Sequence, residues 1–503
     1  MHDNSQSALN ADRRRRELSE LGDHASVDVL VIGGGITGVG TALDAASRGL
    51  RTVLVDKHDL AFGTSRWSSK LAHGGLRYLA TGNVGIARES AVERGILMTR
   101  TAPHLVRAMP QLVPLLPSVG FFEKTLVRVG FLAGDALRIT AGTPSSVLPR
   151  SRRVGAARAE QLAPAVRREG LRGGLLAYDG QLIDDARLVV TLARTAAAHG
   201  ATVLTRVGAY DVTGDSATLR DELTGEEMTI RARSVVNASG VWAGQVDPDI
   251  RLKPSRGTHL VLPAELLGNP TAALTVPIPG EMNRFVFMLP SQLGRVYLGL
   301  TDEAVDGAIP DVPVASDDEI DFLLDTVNTA LATPVTRSDV LGTFAGLRPL
   351  LDTGGGKTAD LSRNHAVLRS SNGVISVVGG KLTTYRKMAE DAVDAAVKAG
   401  GLTARSCVTT DLPAVGAART PSQDLPPSLV ARYGAEAGAV AAAGELAPIA
   451  DGIDVTHAEL AFAVSHEGAI DVDDILDRRT RIGLVPADRE QALPAAERAF
   501  EGV

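Results

Sequence analysis

The first strong pattern along the chain is a short apolar run that breaks into glycines and then resumes with helical spacing. Residues 29–32 have the length and the β-branched content of a buried strand, and residues 39–48, closed by Gly49, have a helical pattern. A second strand is predicted at residues 52–55, and Asp56 follows it directly. Two buried strands joined by a helix predict a parallel sheet of the α/β class.

The turn between the first strand and the helix carries a G-x-G-x-x-G motif at residues 33–38. Its first glycine permits a tight turn, the second lets a pyrophosphate approach the backbone, and the third lets helix and strand pack closely. The helix N-terminus then faces the phosphates, and Asp56 stands where an acid holds ribose hydroxyls. The predicted dinucleotide site comprises Gly33, Gly35, Ile36, Thr37, Gly38 and Asp56. The motif alone leaves NAD and FAD open, and a glycine turn without a ligand is the alternative.

Later segments repeat the alternation of helix and strand and then depart from it. Asp184 or Asp185 caps a predicted helix that ends at Gly200, and residues 202–204 form the next strand. From residue 254 to about residue 300, strands follow one another without long helices between them. This change predicts a second domain built on an antiparallel sheet.

The two ends of the chain differ from its middle. Residues 1–26 are polar, include the arginine run 13–16 and lack the apolar core of a secretory signal, so we expect a disordered or loosely helical tail. A proline-rich linker at residues 412–427 precedes an alanine-rich helical region. Within that region His466 and Glu467 come close in sequence to several arginines, and solvated or interdomain ion pairs are the favoured interpretation over a catalytic one.

Composition narrows the class of protein. The chain has 503 residues, of which 44% are apolar and 22% charged, which is ordinary for a globular protein of two or three domains. Its net charge of −7 argues against a nucleic-acid-coating protein. Cys407 is the single cysteine, so no intramolecular disulfide and no metal cluster is expected, and a reducing cytoplasm is the default compartment. No apolar run has the length of a membrane-spanning helix.

The segment at residues 63–78 is rich in hydroxyls, glycines and cations and has little apolar periodicity. Such a loop is typical of a binding site for something polar. Its hydroxyls and amides suit a pyrophosphate, while three of its side chains suit a substrate, namely His73, Arg77 and Tyr78. The alternative is that the serines and threonines only cap a helix that begins near Ser68.

Two later turns have similar chemistry. Ser239 and Gly240 form a small-residue turn after a predicted strand, which permits close approach of a ligand to the backbone. Residues 374–378 form another strand, followed by a glycine turn and an amphipathic helix. With Lys381 in front of the helix N-terminus, this turn suits an anion such as a reduced flavin ring. An ordinary helix start is the alternative.

Residues 121–138 combine a strongly apolar patch with Lys124, Arg128 and Arg138. This mixture suits an interfacial helix that rests on an anionic membrane. It suits equally a buried helix whose long cationic side chains reach the solvent. From the residues alone, the buried helix is favoured.

Four motifs together resemble bacterial FAD-dependent glycerol-3-phosphate dehydrogenase, within the D-amino-acid-oxidase-like flavoproteins, and they lie at residues 33–38, 69–79, 346–350 and 379–386. Residues 477–484 resemble that family's C-terminal helical domain, so the likeness covers roughly residues 27–490. Two departures are Asp56, where the family often has glutamate, and Ser239, where threonine is common. Neither one argues against flavin binding.

The resemblance implies a discontinuous architecture of the α/β class. A Rossmann-like FAD-binding domain is expected at residues 27–100, 180–250 and 340–400. A substrate-binding cap domain with an antiparallel sheet is expected at residues 101–179 and 251–339. A helical domain is expected at residues 401–503, after a disordered tail at residues 1–26.

The resemblance also implies the chemistry, which is oxidation of sn-glycerol 3-phosphate to dihydroxyacetone phosphate with a hydride passing to FAD. His259 and His73 are the histidines in the candidate segments, and His259 is the preferred base, with Arg348 polarising the developing carbonyl oxygen. The substrate is expected to meet Arg77, Tyr78, Arg284, Arg348 and Lys381. The FAD, held without a covalent bond, is expected to meet the glycine-motif residues with Asp56, Thr64, Ser65, Ser69, Lys70, His73, Gly74, Ser239, Gly240, Gly380, Lys381, Leu382 and Thr383.

The implied partners are a small phosphorylated polyol and a quinone as electron acceptor, and no nucleic acid or metal is expected. The family is usually peripheral to a membrane, which favours the interfacial interpretation of residues 121–138 and a place on the inner face of the plasma membrane. A homodimer is an open alternative to a monomer. Rival functions are an oxidase that uses dioxygen, a deaminating amine oxidase, and a flavin-binding scaffold or sensor without turnover.

Overall fold

A computed structural model of the chain describes residues 6–22, 25–75, 83–117, 121–281, 284–352, 365–417 and 424–501. Its strands, numbered β1 to β20 in chain order, are Ala25–Ile32, Thr52–Asp56, Leu71–Ala72, Val106–Pro114, Arg152–Val154, Gly174–Leu182, Thr202–Thr205, Val207–Tyr210, Ser216–Asp221, Glu227–Asn237, Ser255–Pro263, Ala273–Pro277, Phe285–Pro290, Arg295–Gly299, Glu303–Ala304, Gly342–Arg348, His365–Arg369, Ile375–Gly379, Pro448–Ala450 and Ile453–Thr456.

Its α-helices, numbered α1 to α13 in chain order among the described residues, are Ala11–Leu21, Ile36–Ser47, Val84–Ile96, Phe121–Thr140, Ala156–Leu162, Asp185–Ala198, Ala243–Val246, Asp317–Asn328, Tyr385–Gly400, Pro427–Tyr433, Ala437–Ala441, His457–His466 and Pro486–Arg498. In the part of the chain that the structure describes, no helix is long and apolar enough to cross a membrane.

The first sheet has the strand order β17-β18-β10-β1-β2-β7, with β8 and β9 attached to β10. Strand β1 pairs in parallel with β2 and β10, and β2 pairs in parallel with β7. Helices α6 and α9 each pack on α2, and the three helices share a core cluster with apolar residues of β1, β2 and β18. This is the predicted Rossmann-like α/β arrangement, since buried parallel strands need helices over them.

The second sheet has the strand order β15-β11-β14-β13-β12-β4-β6-β3, with β16 attached to β11 and β5 to β6. The three strands predicted between residues 254 and 300 pair antiparallel, as expected. A parallel pair, β12 with β4, joins them to the earlier strands. Apolar side chains on one face of this sheet pack against α5 and α8, which leaves the other face for the cavity described below.

Strand β16 departs from the expected domain limits. Residues 340–400 were expected in the FAD-binding domain, yet all of β16 pairs with β11, from Ser255 opposite Arg348 to Val261 opposite Gly342. The chain thus visits the second sheet before it returns to the first at β17. Backbone pairing with a distant strand decides this placement, and local sequence carries no record of that pairing.

Of the two forms expected for the N-terminal segment, the disordered tail is corrected, because residues 11–21 form helix α1. The Asn10 side chain caps α1 by accepting a hydrogen bond from the Arg13 amide at 2.9 Å. The Arg14 guanidinium lies 2.6 Å from the buried carboxylate of Asp221. Ion pairs to distant segments and a side-chain cap stabilise this helix. Because the segment has few apolar residues, the pattern of apolar positions predicted a tail there.

The C-terminal region combines α10 to α13 with the β19–β20 hairpin. Its ion pairs to the rest of the chain match the sequence-based interpretation. Glu467 forms a buried pair with Arg187 of α6, and Arg478 and Arg479 both contact Asp59 after β2. These pairs attach the C-terminal region to the first sheet through charges and not through apolar packing alone.

Candidate functional site

A cavity of about 960 Å³ is lined by residues of both sheets. One part borders the glycine turn after β1, and another borders β11, β13 and β16 of the second sheet. The predicted site residues that line it are Gly33, Gly35, Ile36, Thr37, Asp56, Thr64, Ser65, Ser69, His73, Ser239, Gly240, His259, Arg284, Arg348, Gly380, Lys381, Leu382 and Thr383. The fold therefore brings distant segments to one space.

Close packing explains two glycines of the turn after β1. A Cβ atom on Gly33, whose φ is +115°, would lie 2.6 Å from the carbonyl oxygen of Ala238. A Cβ atom on Gly38 would lie 1.8 Å from the carbonyl oxygen of Gly33. Gly38 does not line the cavity, so its part is the predicted close contact of helix and strand. The start of α2 has no side-chain cap on Gly35, which leaves backbone amides near the cavity.

Asp56 ends β2 at the edge of the cavity. Its carboxylate accepts hydrogen bonds from the amides of Gly34 at 2.5 Å and His58 at 2.7 Å. Burial raises the pKa of Asp56 to about 6, although these two bonds favour the charged form. Because this pKa lies close to neutral pH, a ligand that donates hydrogen bonds to the carboxyl group readily shifts it to the charged form.

The hydroxyl-rich loop contributes its side chains to different neighbours. The Thr64 hydroxyl donates to the carbonyl of Leu347 at 2.6 Å, and the Ser65 hydroxyl accepts from the Ile36 amide at 2.9 Å. Ser65 thus already occupies one amide at the start of α2. The Ser69 hydroxyl lies 2.8 Å from Nε2 of His259.

Lys70 and Gly74 do not line the cavity, although both were predicted to bind the cofactor. The Lys70 ammonium is buried and donates to the Asp185 carboxylate at 3.1 Å. Gly74 lies against Arg94, and its amide donates to Asp179 at 3.0 Å. In both cases the donor, the Lys70 ammonium or the Gly74 amide, bonds to a buried carboxylate of a distant segment. The spacing of residues within the loop does not reveal these partners.

His259 on β11 is 2% exposed and borders the cavity. Its ring stacks on Phe344 at 4.6 Å between centroids, and its Nδ1 has no hydrogen-bond partner among the described residues. Gly299 stands opposite His259 on β14, and a Cβ there would lie 2.2 Å from the ring. Burial, with the positive charges of Lys70 and Arg348, holds the pKa of His259 well below its usual range. The imidazole is therefore neutral at pH 7.

Arg348 ends β16 beside His259. Its guanidinium lies over Gly257, where a Cβ atom would lie 2.4 Å from Nη2, and Gly257 precedes His259 by two residues on the same face of β11. Among the described residues, Arg348 donates to the hydroxyl of Ser255 at 3.1 Å, to the carboxylate of Asp302 at 3.2 Å and to the carbonyl of Thr301 at 3.1 Å, and these bonds hold it in place. A neutral base and a fixed cation thus stand side by side.

Lys381 and His73 also line the cavity. Lys381 follows β18 and donates to the Ser90 hydroxyl at 2.6 Å. The His73 ring lies 3.3 Å from the Asp179 carboxylate, and its backbone amide donates to Thr383 at 3.0 Å. Arg284 lines the cavity and pairs with Glu281 at 2.5 Å. Arg77 and Tyr78, both predicted to bind substrate, lie outside the described residues.

Comparison with known proteins identifies the family of this chain. Residues 28–386 match the profile of a family described as FAD dependent oxidoreductase, and residues 407–501 match one described as the C-terminal domain of alpha-glycerophosphate oxidase. The chain belongs to the FAD-dependent oxidoreductase family. The α/β fold with an FAD-binding domain and the cofactor FAD, both expected from the sequence, are thereby confirmed.

Relatives of this flavoprotein share most of its length. It is 66% identical over 504 residues to glycerol-3-phosphate dehydrogenase 1 of Mycobacterium tuberculosis, which covers 97% of this chain and 98% of that protein. It is 38% identical to glycerol-3-phosphate dehydrogenase of Mycobacterium leprae, over 95% of this chain and 84% of that protein. A solved structure of glycerol-3-phosphate dehydrogenase from Bacillus halodurans, complexed with FAD, aligns with a TM-score of 0.73 at 26% identity and covers 98% of this chain and 94% of that one.

The residues of the flavoprotein fit its cofactor. Gly33 and Gly38 permit the tight turn and the close packing of helix on strand, Gly35 at the start of α2 lines the cavity where a pyrophosphate approaches, and Asp56 sits at the end of the next strand with a carboxylate for ribose hydroxyls. The cavity then continues past Ser239, Gly240 and the Gly380 turn to the second sheet, which suits an extended dinucleotide. Among the described residues, no cluster of three or more His, Cys, Asp or Glu side chains could hold a metal ion.

Sequence patterns missed several residues that shape the flavoprotein's site. Phe344 and Gly299 fix the His259 ring, and Asp302 fixes Arg348. Trp67 and Trp242 line the cavity, and Trp242 lies 2.7 Å from a Cβ built on Gly63. Strand pairing brings these residues together. One available signal was the pair Thr301 and Asp302, which comes shortly after β14, since polar residues that follow a strand are frequent in binding sites.

Proposed function

We propose that this flavoprotein oxidises sn-glycerol 3-phosphate to dihydroxyacetone phosphate and passes the electrons to a quinone. The names of the relatives at 66% and 38% identity support the substrate. The observation that carries the proposal is the neutral imidazole of His259 beside the guanidinium of Arg348 on the cavity wall. Oxidation of a phosphorylated alcohol needs a base for the hydroxyl proton and cations for the phosphate.

Bound FAD supplies the hydride acceptor for this reaction. His259 removes the hydroxyl proton, and because its pKa is low it is in the acceptor form at pH 7. With a proton on Nδ1, the single lone pair of Nε2 accepts from the Ser69 hydroxyl, so the substrate hydroxyl takes the place of Ser69 on Nε2 when its proton is transferred. A phosphate dianion near Arg348 opposes the positive field on the ring, so we expect substrate to raise the pKa of His259 toward the range of an effective base.

Cations at the cavity suit an anionic substrate. Arg348, Lys381 and Arg284 all border it, and the first two come from different sheets. A planar guanidinium favours bidentate contact with phosphate or with a developing alkoxide, whereas an ammonium acts as a point charge. An amine oxidase has less use for this excess of cations, and a scaffold without turnover has no use for a buried neutral histidine.

Dioxygen is the second candidate acceptor. The profile matched by residues 407–501 is described from an oxidase, and L-alpha-glycerophosphate oxidase from Mycoplasma pneumoniae shares the fold at 17% identity with a TM-score of 0.58. A likeness at that level concerns architecture alone. Quinone is preferred because α4 presents the apolar surface that access to a membrane-dissolved acceptor requires.

That surface is a stripe along α4 at helical spacing. Val129, Leu132, Ala136 and Ile139 are exposed at successive intervals of three, four and three residues. The opposite side of α4 packs through Phe131 on Val113 and Leu175. Apolar residues exposed along one stripe of a helix suit the boundary of a bilayer.

An exposed basic run lies beside the stripe. Arg150, Arg152 and Arg153 are exposed, and Ser151 among them bonds to Asp135 and Arg128 of α4. Basic residues near an apolar stripe favour anionic lipid headgroups. We infer peripheral attachment through α4 to the inner face of the plasma membrane. Four side chains of the predicted apolar and basic patch, at positions 121, 122, 124 and 126, lie outside the described set.

Anaerobic mixing tests the proposal. Purified yellow holoenzyme is mixed with sn-glycerol 3-phosphate without dioxygen, and bleaching of the flavin absorbance is expected. Reoxidation is then started with menadione or with air-saturated buffer. Faster return of the yellow colour with menadione supports the quinone. Fast return with dioxygen alone identifies an oxidase, and absence of bleaching ends the dehydrogenase proposal.

A further inference from the structure

A row of side chains crosses the second sheet on the face that borders the cavity. His259 stands opposite Gly299, Gly299 opposite Phe287, and Phe287 opposite Thr275. Gln111 follows on the next strand, where it pairs with Ala273, two residues before Thr275. The row therefore runs from His259 to β4, and it extends beyond His259 and Arg348, the residues proposed to act on the substrate alcohol.

Two polar groups at the far end of this row have no hydrogen-bond partner in the part of the chain that the structure describes. The Oγ1 atom of Thr275 and the Nε2 atom of Gln111 are buried and make no hydrogen bond among the described residues. Both residues line the cavity. A buried donor without a partner is unfavourable, so such groups in native proteins are usually completed by a ligand or water.

The walls around these two groups are apolar. Phe285, Phe287 and Ile278 line the cavity on one side. Val127 and Phe131 of α4, the helix with the exposed stripe, line it on another. A flat or apolar molecule with an oxygen acceptor therefore fits this end of the cavity better than a polyol phosphate does.

Distance separates the two ends. Three strand spacings lie between His259 and Thr275, which amounts to about 14 Å. A three-carbon phosphate ester whose alcohol carbon lies at His259 does not span that distance. The far end is therefore available to a second reactant.

We propose that Gln111 and Thr275 form a subsite for the acceptor, in which their donors bond to a carbonyl oxygen of a quinone whose ring packs against Phe287. This inference rests on the proposed function. The overall reaction balances: the alcohol loses two electrons and two protons to become the ketone, and the quinone gains two electrons and two protons to become the quinol. The side of α4 that lines the cavity also places this subsite near the helix proposed to meet the membrane.

Stopped-flow measurement of the second half of the reaction tests the subsite. Holoenzyme is reduced anaerobically and mixed with menadione at several concentrations, and the half-saturating concentration is read from the rate of reoxidation. Thr275→Val and Gln111→Leu remove the donors with little change of volume. Each is expected to raise half-saturation about tenfold, the value of one hydrogen bond. Thr275→Ser keeps the hydroxyl and is expected to stay near the wild type.

Controls separate this inference from the proposed function. Thr343→Val changes an exposed strand threonine outside the cavity lining and should leave menadione half-saturation unchanged. Unchanged half-saturation in both donor variants overturns the subsite, as does a rise confined to glycerol 3-phosphate. If glycerol 3-phosphate does not reduce the wild-type flavin, the proposed function is wrong. The acceptor subsite can still be tested in that case, because enzyme reduced with dithionite can be mixed with menadione and its reoxidation rate measured. A normal flavin spectrum shows that each variant is folded.

Discussion

The carboxylate of Asp59 lies 2.7 and 2.8 Å from two guanidinium nitrogens of Arg479, and both side chains are fully buried. Arg478 adds a third bond to the same carboxylate at 2.6 Å. Although burial alone would raise it, these two cations hold the pKa of Asp59 below its usual range. Asp59 follows Asp56 by three residues, so the C-terminal region clamps the loop that borders the predicted ribose site.

Asp59→Asn should therefore weaken FAD binding as well as stability. Removing one partner of a buried ion pair leaves uncompensated charge and typically costs about 3–5 kcal/mol. The measurement is FAD titration of the apoprotein by flavin fluorescence, together with the melting temperature. Asp12→Asn removes an exposed pair with Arg15 and serves as the control, with little change expected. Wild-type FAD affinity in a destabilised Asp59→Asn protein would show that the clamp does not position the loop.

FAD affinity should depend on pH through Asp56. Its pKa of about 6 in the apoprotein means that the carboxyl binds a proton below pH 6, whereas ribose hydroxyls donate to the charged form. Above pH 6 the dissociation constant should be flat, and below it should rise up to about tenfold per pH unit for a single proton. Isothermal titration from pH 5 to pH 7.5 measures this slope. Asp56→Asn should bind more weakly without the slope, and a flat wild-type profile would contradict the assignment.

His259→Asn should slow flavin reduction by glycerol 3-phosphate by roughly a hundredfold, because the base is lost. FAD content should remain normal, since His259 lies on β11 of the second sheet and the glycine turn follows β1 of the first sheet. Stopped-flow absorbance under anaerobic conditions gives the rate. His199→Asn, at an exposed position after α6, provides the matched control. An unchanged reduction rate in His259→Asn would remove this residue as the base.

Gly299→Ala tests whether the position of the imidazole matters as much as its presence. The added Cβ would lie 2.2 Å from the His259 ring, so the ring must move from Phe344 and Ser69. We expect reduction slowed at least tenfold, since small displacements in an active site are costly. Gly438→Ala, where a Cβ meets nothing within 4 Å, is the control. Full activity in Gly299→Ala would argue that the ring geometry is not critical.

Leu132→Glu should reduce binding to vesicles that contain anionic lipid. Leu132 is 50% exposed in the middle of the α4 stripe, and a carboxylate there opposes both insertion and the negative headgroups. Co-sedimentation with phosphatidylglycerol vesicles measures the bound fraction. Leu223→Glu, at a site 53% exposed in the loop between β9 and β10 of the first sheet, should bind like the wild type. Equal loss in both variants would point to a general effect of charge.

Lys70 and Lys381 show why the candidate site was only partly predictable. Both are lysines in polar, glycine-containing segments, and both were assigned to the cofactor. Lys381 borders the cavity, but Lys70 adopts a positive φ and turns to the buried Asp185. Spacing shows that a cation belongs to a loop, and it does not show which distant carboxylate will compete for that cation.

The strand, glycine turn, helix and acid at residues 29–56 were determined by the sequence itself, because their signals are local: apolar periodicity, glycine where no Cβ fits, and a carboxylate at a strand end. The family resemblance added His259 and Arg348. The tertiary structure alone decided what surrounds them. Strand pairing set Gly299 and Phe344 against the imidazole and placed Thr275 and Gln111 farther along the same face. Such contacts join residues distant in the chain, and packing selects them only when the whole sheet forms.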